Sequence, residues 1–468
     1  MKAKQLTQFR DEVYQNFKNC KRTDMLMDLM DALSSNTTAR SVVELSLNSH
    51  FRRHYTALNK AVAVNALTDR QLASLACQTI SAPVKRKFHL LGTDVTSNPR
   101  PFADTLPDRG FVYQPNTIKG NKPIAIGHQY SFWAWLPEYT AQKTGNWVAP
   151  LSMQRVASQA NKEMVGAKQL GVLLADKRLP FGEAFCVEVA DSAYSKPAYL
   201  NANREHTNLV TIARARGTRT FYRQPVPDDK LAEKGHPTWY GKPLRLKEPE
   251  TWGSPDRSTE TTFVSRKKVT YRVEIQAWHN LLTLAPHASA GVRGKKDCPM
   301  HQHPFTLVKI CWYNPQGQVL FQRPLWLIVM GERRMDLSLL DIYEAYLQRY
   351  DLEHFFRFGK QKLLLDKFQT PDDKHEEHWW RLVALAYLQL WVAKDTASHL
   401  PRPWERYLPS AVDKQLTPAM VLRDMHRIIR QIGTPAPVPK PRGKSPGRRK
   451  GAKLTPRSRQ PVVKKAAA

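Results

Sequence analysis

Four residues in one stretch carry the sharpest chemical pattern of this 468-residue chain. In YLQRYDLEHFFRFGKQ, Tyr346, Arg349, Glu353 and Lys360 stand at offsets 0, 3, 7 and 14. At ~100° per residue these offsets fall at about 0, −60, −20 and −40° around a helix, so all four share one face. A carboxylate flanked by a phenol and two cations along ~21 Å of one stripe can present a metal ligand between phosphate contacts. The ordinary explanation of such a stripe is a solvated, salt-bridged face. Phe355, Phe356 and Phe358 crowd the same segment, which argues for a packed helix whose polar stripe needs a purpose.

The spacing Tyr-x2-Arg-x3-Glu-x6-Lys resembles the YREK signature of a large group of bacterial cut-and-paste insertion-sequence transposases of the DDE type. LLGTDVTSNPRP resembles the strand that carries this family's first aspartate, and VEVADSAY resembles the second, an Asp followed closely by an aromatic residue. With the tail RGKSPGRRKG, the likeness covers most of the chain from about residue 88 onward. It implies a ribonuclease H-like catalytic domain interrupted by a β-rich insertion between the second Asp and the Glu. It also implies Asp94, Asp191 and Glu353 as catalytic and metal-binding carboxylates, with Tyr346, Arg349 and Lys360 holding element-end phosphates. Val95 stands where the first motif often carries a second acid, and Asp104 and Asp108 are alternatives for the first carboxylate.

The residues themselves place two of these acids. Asp94 ends an apolar run, and Asp191 follows Phe185, Val187 and Val189 at the same strand parity. Both are therefore expected at strand ends, where open sheets bind ligands. Two divalent ions held ~3.5–4 Å apart by three carboxylates can activate a water or a 3′-hydroxyl and stabilise the leaving oxygen during in-line attack on phosphorus. Oxygen ligands favour Mg2+ or Mn2+.

The elements that must position these groups follow from hydrophobic periodicity. Residues 1–80 read as helices and are expected to form a DNA-binding region. Residues 81–220 read as three consecutive strands (RKFHLLGTDV, NKPIAIGHQYSFWAWLP, NWVAPLSMQRV), a helix near 155–178, the strand EAFCVEVAD, a helical stretch and the strand NLVTIARARGT. Residues 221–305, rich in Pro, Gly and Trp, read as the β-rich insertion. Residues 306–400 return to the sheet through RPLWLIVMG and continue with helices over 337–365 and about 375–395. One more helix, LTPAMVLRDMHRIIRQIG, lies in a C-terminal helical region, 401–433. The tail, 434–468, is basic, Pro- and Gly-rich and free of acids, and is expected to be disordered away from DNA. The class is α/β: a ribonuclease H-like mixed sheet with flanking helices, an N-terminal helical region and a basic tail.

Charge points the same way. Seventy-two Lys and Arg against 41 Asp and Glu give a net charge of +31, which implies a polyanionic partner. Nucleic acid is the first candidate and a membrane surface the second; the resemblance implies double-stranded DNA, both element terminal repeats and target, with Arg442, Lys444, Arg448, Arg449 and Lys450 of the tail on phosphates. The absence of a signal-like or spanning apolar run, with five scattered cysteines, predicts a soluble, intracellular protein with reduced thiols, and the resemblance implies a bacterial cytoplasmic, nucleoid-associated one. Cys298, His301 and His303 supply half a zinc site without a second pair at finger spacing, so an ordinary loop is expected. Trp239 and Trp252 either stack on an unpaired base or pack. The reading is a transposase that assembles as a homodimer on DNA. The alternatives are a catalytically silent DNA-binding derivative and a nuclease on the same fold.

Overall fold

The computed structural model describes residues 2–17, 22–64, 67–115, 122–139, 146–225, 239–265, 268–285, 297–404, 416–441, 447, 449–453 and 455–465. In chain order the helices are α1 (Lys2–Phe17), α2 (Thr23–Ser34), α3 (Thr56–Val62), α4 (Asp69–Thr79), α5 (Lys162–Ala175), α6 (Pro197–Asn203), α7 (Leu339–Gln348), α8 (Tyr350–Lys362), α9 (Asp373–Ala393) and α10 (Pro418–Ile432). The strands are β1 (His89–Pro99), β2 (Gly110–Tyr113), β3 (Ile124–Trp135), β4 (Ala149–Val156), β5 (Cys186–Ala190), β6 (Leu209–Ala215), β7 (Thr220–Tyr222), β8 (Pro243–Arg245), β9 (Arg257–Val264), β10 (Thr270–Leu281), β11 (Phe305–Tyr313) and β12 (Leu325–Met330).

The mixed ten-stranded sheet runs β2-β3-β1-β5-β6-β12-β11-β10-β9, with β4 paired to β3. Pairing is parallel from β1 through β5 to β6 and antiparallel from β6 to β9. The order β4-β3-β1-β5-β6 is a ribonuclease H-like arrangement. β5, CVEVA, is buried at every residue, as expected of a parallel strand covered on both faces.

The chain divides into two compact units. One comprises Met1–Ser81, Val95–Ala160 and Asp351–Ala466. Its hub is α9, whose Trp379, Trp380, Leu382, Leu385 and Leu388 are buried, the mark of a helix surrounded by other elements. Asp372 caps it, its side chain accepting from the Lys374 and His375 amides, which satisfies two N–H groups that no helical carbonyl reaches. Against α9 pack α1, α2, α3, α4, α10 and β4. The N-terminal helices thus share a core with this unit, and Arg10 of α1 is buried on Asp31 and Gln389.

The described end of the basic tail belongs to the same unit. The Gln460 amide donates to the Asp104 carbonyl at 2.7 Å, and the Val463 amide donates to the Arg109 carbonyl at 2.7 Å. Val463 bridges Gly110 in parallel, so residues 460–463 run beside the segment 104–110 that leads into β2.

The other unit comprises Ala82–Asp94, Asn161–Tyr350 and Ala467–Ala468. The β-rich region expected at 221–305 falls in two parts here. β7 and β8 form a two-stranded ribbon, whereas β9 and β10 extend the main sheet beyond β11. Beneath them Phe221, Trp278, Met300, Phe305 and Trp326 are buried together.

Four elements differ from the sequence reading. β11 stands ahead of RPLWLIVMG, where no strand was expected. β2 is a four-residue strand too short to show a period. The expected helix at 155–178 begins only at Lys162, because β4 continues to Val156 and Asn161 supplies the cap. The single helix expected over 337–365 is broken: α7 ends at Gln348, and Arg349 bonds its amide to the Tyr346 carbonyl three residues back at 3.2 Å. A three-residue bond tightens the turn, so the four-residue stripe does not run along one uninterrupted helix.

Candidate active site

β1 and β5 pair with Leu91 opposite Glu188 and Gly92 opposite Val189. Carried on by two residues, that register sets Asp94 level with Asp191 on strands about 4.8 Å apart. Asp191 is the first residue after β5 and caps the short 3-10 turn Ser192–Ser195, its carboxylate accepting from the Ala193 amide at 2.8 Å. Asp94 is not at the end of its own strand, as the apolar run suggested. β1 continues to Pro99, with β3 as its other neighbour, and Asp94 sits at the level where β5 stops.

Around this pair the same unit gathers a tyrosine and an arginine. The Arg349 guanidinium lies 3.4 Å from the Asp94 carboxylate and 5.9 Å from the centre of the Tyr346 ring. Asp94 and Arg349 keep 21% and 15% of their side-chain surface exposed, so both remain reachable. Tyr346 is buried on α7, and burial raises its phenol pKa against the opposing pull of Arg349 and Arg214. Tyr194, just past Asp191, is pushed well above the usual phenol range, first by burial and further by the charges of Asp94, Asp191 and Glu188.

Glu353 and Lys360 belong to the other unit, on α8. Phe355 and Phe356 anchor this helix against Phe132, with ring centres 4.5 and 5.3 Å away. Glu353 is half-buried in the first turn. Lys360 donates to the Ser97 carbonyl of β1 at 2.9 Å, and burial lowers its ammonium pKa. The sequence-predicted residues therefore fall into two groups, Asp94, Asp191, Tyr346 and Arg349 in one unit and Glu353 and Lys360 in the other.

The two alternative acids have other duties. Asp108 pairs with Arg155 and accepts from the Ser158 amide, and Asp104 lies 3.3 Å from Arg109. Among the described residues no three His, Cys, Asp or Glu gather closely enough to hold a metal ion. The level carboxylates of Asp94 and Asp191 nevertheless supply the oxygen donors that Mg2+ and Mn2+ require.

Of the basic tail residues, Arg442, Lys444 and Arg448 lie outside the described residues, and Arg449 and Lys450 are exposed. Cys298 is buried with its Sγ 3.6 Å from the Pro197 carbonyl. Burial raises its thiol pKa, which disfavours the thiolate a metal needs. Trp239 stacks on His301 at 4.0 Å, and Trp252 packs edge-on against Trp326 at 5.0 Å with the Lys309 ammonium 4.6 Å above it. Both tryptophans thus have packing partners.

Among the buried carboxylates that escaped the sequence reading are Glu188 and Glu376. Glu188 of β5 is fully buried and accepts from Tyr199, Asn203 and Thr211. Burial pushes its pKa up to about 7, against those hydrogen bonds. An acid in the middle of the apolar run CVEVA was the available signal. Glu376 of α9 accepts from Asn98, Arg100 and Tyr130 and lies 2.5 Å from His128. Its partners come from two distant segments, β1 with the residue after it and β3, which no local pattern connects.

A search of curated proteins gives no match to this chain. The family model described as DDE superfamily endonuclease matches residues 12–283, more than half of the chain, a span that includes both Asp94 and Asp191 and begins well upstream of residue 88.

Proposed function

The chain belongs to the DDE superfamily endonucleases, and from this premise we propose that it is a DNA transposase of the YREK group, which cuts the ends of a mobile element and joins them to a target. The observation that carries the reading is the level placement of Asp94 and Asp191 with Arg349 beside them. Asp94, Asp191 and Glu353 would hold two Mg2+ or Mn2+ ions, which when bound supply Lewis-acid stabilisation of charge at the attacked phosphate. Asp191 is oriented for this by its own turn, since the Ala193 amide fixes one carboxylate oxygen. Arg349 offers a planar fork that can leave Asp94 for a phosphate and hold it through two hydrogen bonds. Tyr346 packs beneath that guanidinium, and Lys360 secures α8 to β1 through Ser97.

Substrate class follows from charge. A net charge of +31 favours duplex DNA through release of its condensed counterions. Assembly on two element ends calls for a dimer in which each subunit cuts one end. Among the described residues no helix is long and apolar enough to cross a membrane.

The test uses the full chain with Mg2+ or Mn2+ and a duplex carrying the inverted repeats that flank the coding region, both intact and pre-cut. Wild type is expected to cleave the intact ends and join the pre-cut ones. Asp94→Asn, Asp191→Asn and Glu353→Gln are expected to lose both steps while binding DNA at least as tightly, because removing negative charge near phosphates cannot weaken attraction. Cleavage without joining would make the protein a nuclease. Binding without either step would make it a silent descendant.

A further inference from the structure

At the other end of the strands that carry Asp191 there is a second concavity. β5 and β6 pair from Cys186 opposite Leu209 to Ala190 opposite Ala213. Asp191 follows the latter pair, whereas Leu209 lies in the wall of a cavity of about 280 Å³. Asp191 is thus five residues from the level of Leu209 along the strands, roughly 16 Å at ~3.3 Å per residue. All of the cavity's walls come from the unit that contains β5.

The cavity collects cationic and donor groups. Arg204, Gln302, His303 and Arg334 line it on the polar side, with Leu200 and Met330 on the apolar side. Arg334 is held by neutral oxygens only, the Asn280 side chain at 3.0 Å and the Gly331 carbonyl at 3.3 Å. Among the described residues neither Arg334 nor Arg204 makes an ion pair. The one acid of the lining, Glu332, is exposed. Burial lowers the Arg334 pKa, and burial together with the charge of Arg204 lowers that of His303. His303 Nε2 and Asn203 Oδ1 are buried without a hydrogen-bond partner, so the wall holds polar capacity that the fold leaves unused.

The backbone is built to hold this arrangement. Gly331 ends β12 at φ 145°, and a Cβ there would stand 2.4 Å from the Leu209 carbonyl. Only glycine allows that approach, and it brings the following turn, with Arg334, over the cavity. Two arginines facing one half-buried concavity repel one another unless an anion offsets them, and the neutral His303 ring beside them is free to donate or accept a hydrogen bond.

We propose that this cavity is a binding site for a phosphate group, clamped by Arg204 and Arg334 and separate from the carboxylate pair. Two guanidinium forks suit a tetrahedral oxyanion, and the volume lies near the lower end of small-ligand sites. The phosphate can belong to a free nucleotide or to the DNA backbone.

Calorimetric titration of the full chain with inorganic phosphate tests the assignment. Arg204→Ala and Arg334→Gln are each expected to weaken binding about tenfold or more, equivalent to about 1.4 kcal/mol, with thermal midpoints recorded alongside. Arg204 is exposed, so its variant keeps the test valid if Arg334→Gln fails to fold. Displacement of phosphate by dAMP alone assigns the site to a nucleotide, and displacement by a 20-base-pair duplex lacking element ends assigns it to backbone. Absence of phosphate binding, or binding unchanged by Arg204→Ala, overturns the proposal. Neither result bears on cleavage by the carboxylates.

Discussion

The guanidinium of Arg349 lies 3.4 Å from the carboxylate of Asp94, so the arginine of the Tyr-Arg-Glu-Lys spacing touches the first aspartate directly. The contact reaches from the break between α7 and α8 to the level on β1 where β5 ends. Arg349→Lys keeps the charge but loses the planar fork. If the fork positions a phosphate, end cleavage is expected to fall by about 100-fold, the cost of a ~1 Å misplacement. Stability should change by less than about 1 kcal/mol, as for partly exposed pairs. Single-turnover cleavage and thermal midpoint measured on the same preparation separate the two effects. Wild-type cleavage by the lysine variant would remove this arginine from the DNA site.

Glu376 anchors α9 to β1 and β3 through Asn98, Arg100, His128 and Tyr130, all buried. Burial alone would raise its pKa, but His128, Arg100 and Tyr130 hold it below the usual value. Glu376→Ala leaves Arg100 and His128 buried without their acid, at an expected cost of roughly 3–5 kcal/mol. Urea unfolding of the variant checks this, and a loss below about 1 kcal/mol would show that water or a rearrangement compensates.

Glu188 makes stability depend on pH. Its carboxyl shifts from 4.5 to about 7 in the folded chain, so between those values the folded state holds a proton that the unfolded state has released. Stability from this group is therefore complete below about pH 4.5 and is lost as pH rises through about 7, on the order of 3 kcal/mol in all. Glu188→Gln mimics the protonated form and should flatten that part of the profile. The readout is the difference between wild-type and variant thermal midpoints across pH 5 to 8. Parallel profiles would mean that Glu188 is not the titrating group.

How much of this was legible depends on the range of the physics involved. Asp94 lies on a strand and Asp191 directly after one, both strands marked by local apolar runs and parity, and those patterns survive in a single sequence. The level at which the two acids stand is a property of register, set by β1 pairing with β5 almost a hundred residues away. The break at Arg349 is a shift of one hydrogen bond from four residues back to three, which leaves the side-chain period of YLQRYDLEHF unaltered to the eye. Region 221–305 shows its strand character locally, but that β9 and β10 extend the main sheet depends on β11, which follows them in the chain. Arg204, His303 and Arg334 meet only because β6 and β12 are neighbours.

Removal of the chain from Lys440 onward takes away eleven Lys and Arg. If these meet phosphates, the slope of log affinity against log salt should fall by several units, at ~0.9 per phosphate contact. Preference for an element end over random duplex should survive, since phosphate contacts carry no sequence information. Fluorescence anisotropy at four salt concentrations measures both, and an unchanged slope would show that the tail does not touch DNA.

The hydrogen bonds of Gln460 to Asp104 and of Val463 to Arg109, ahead of β2, turn the basic stretch into a leash made fast at both ends. Ala436, at its start, is buried, and its carbonyl accepts from Arg52 at 3.1 Å. Residues 437–459 lie between these moorings, so at about 3.5 Å per residue their midpoint can stand no farther than roughly 40 Å from either one. A free arm of equal length reaches twice as far. If the stretch binds DNA, phosphates inside that radius would meet a locally concentrated polycation and those beyond it none, so the range of capture would be set by where the last residues are tied.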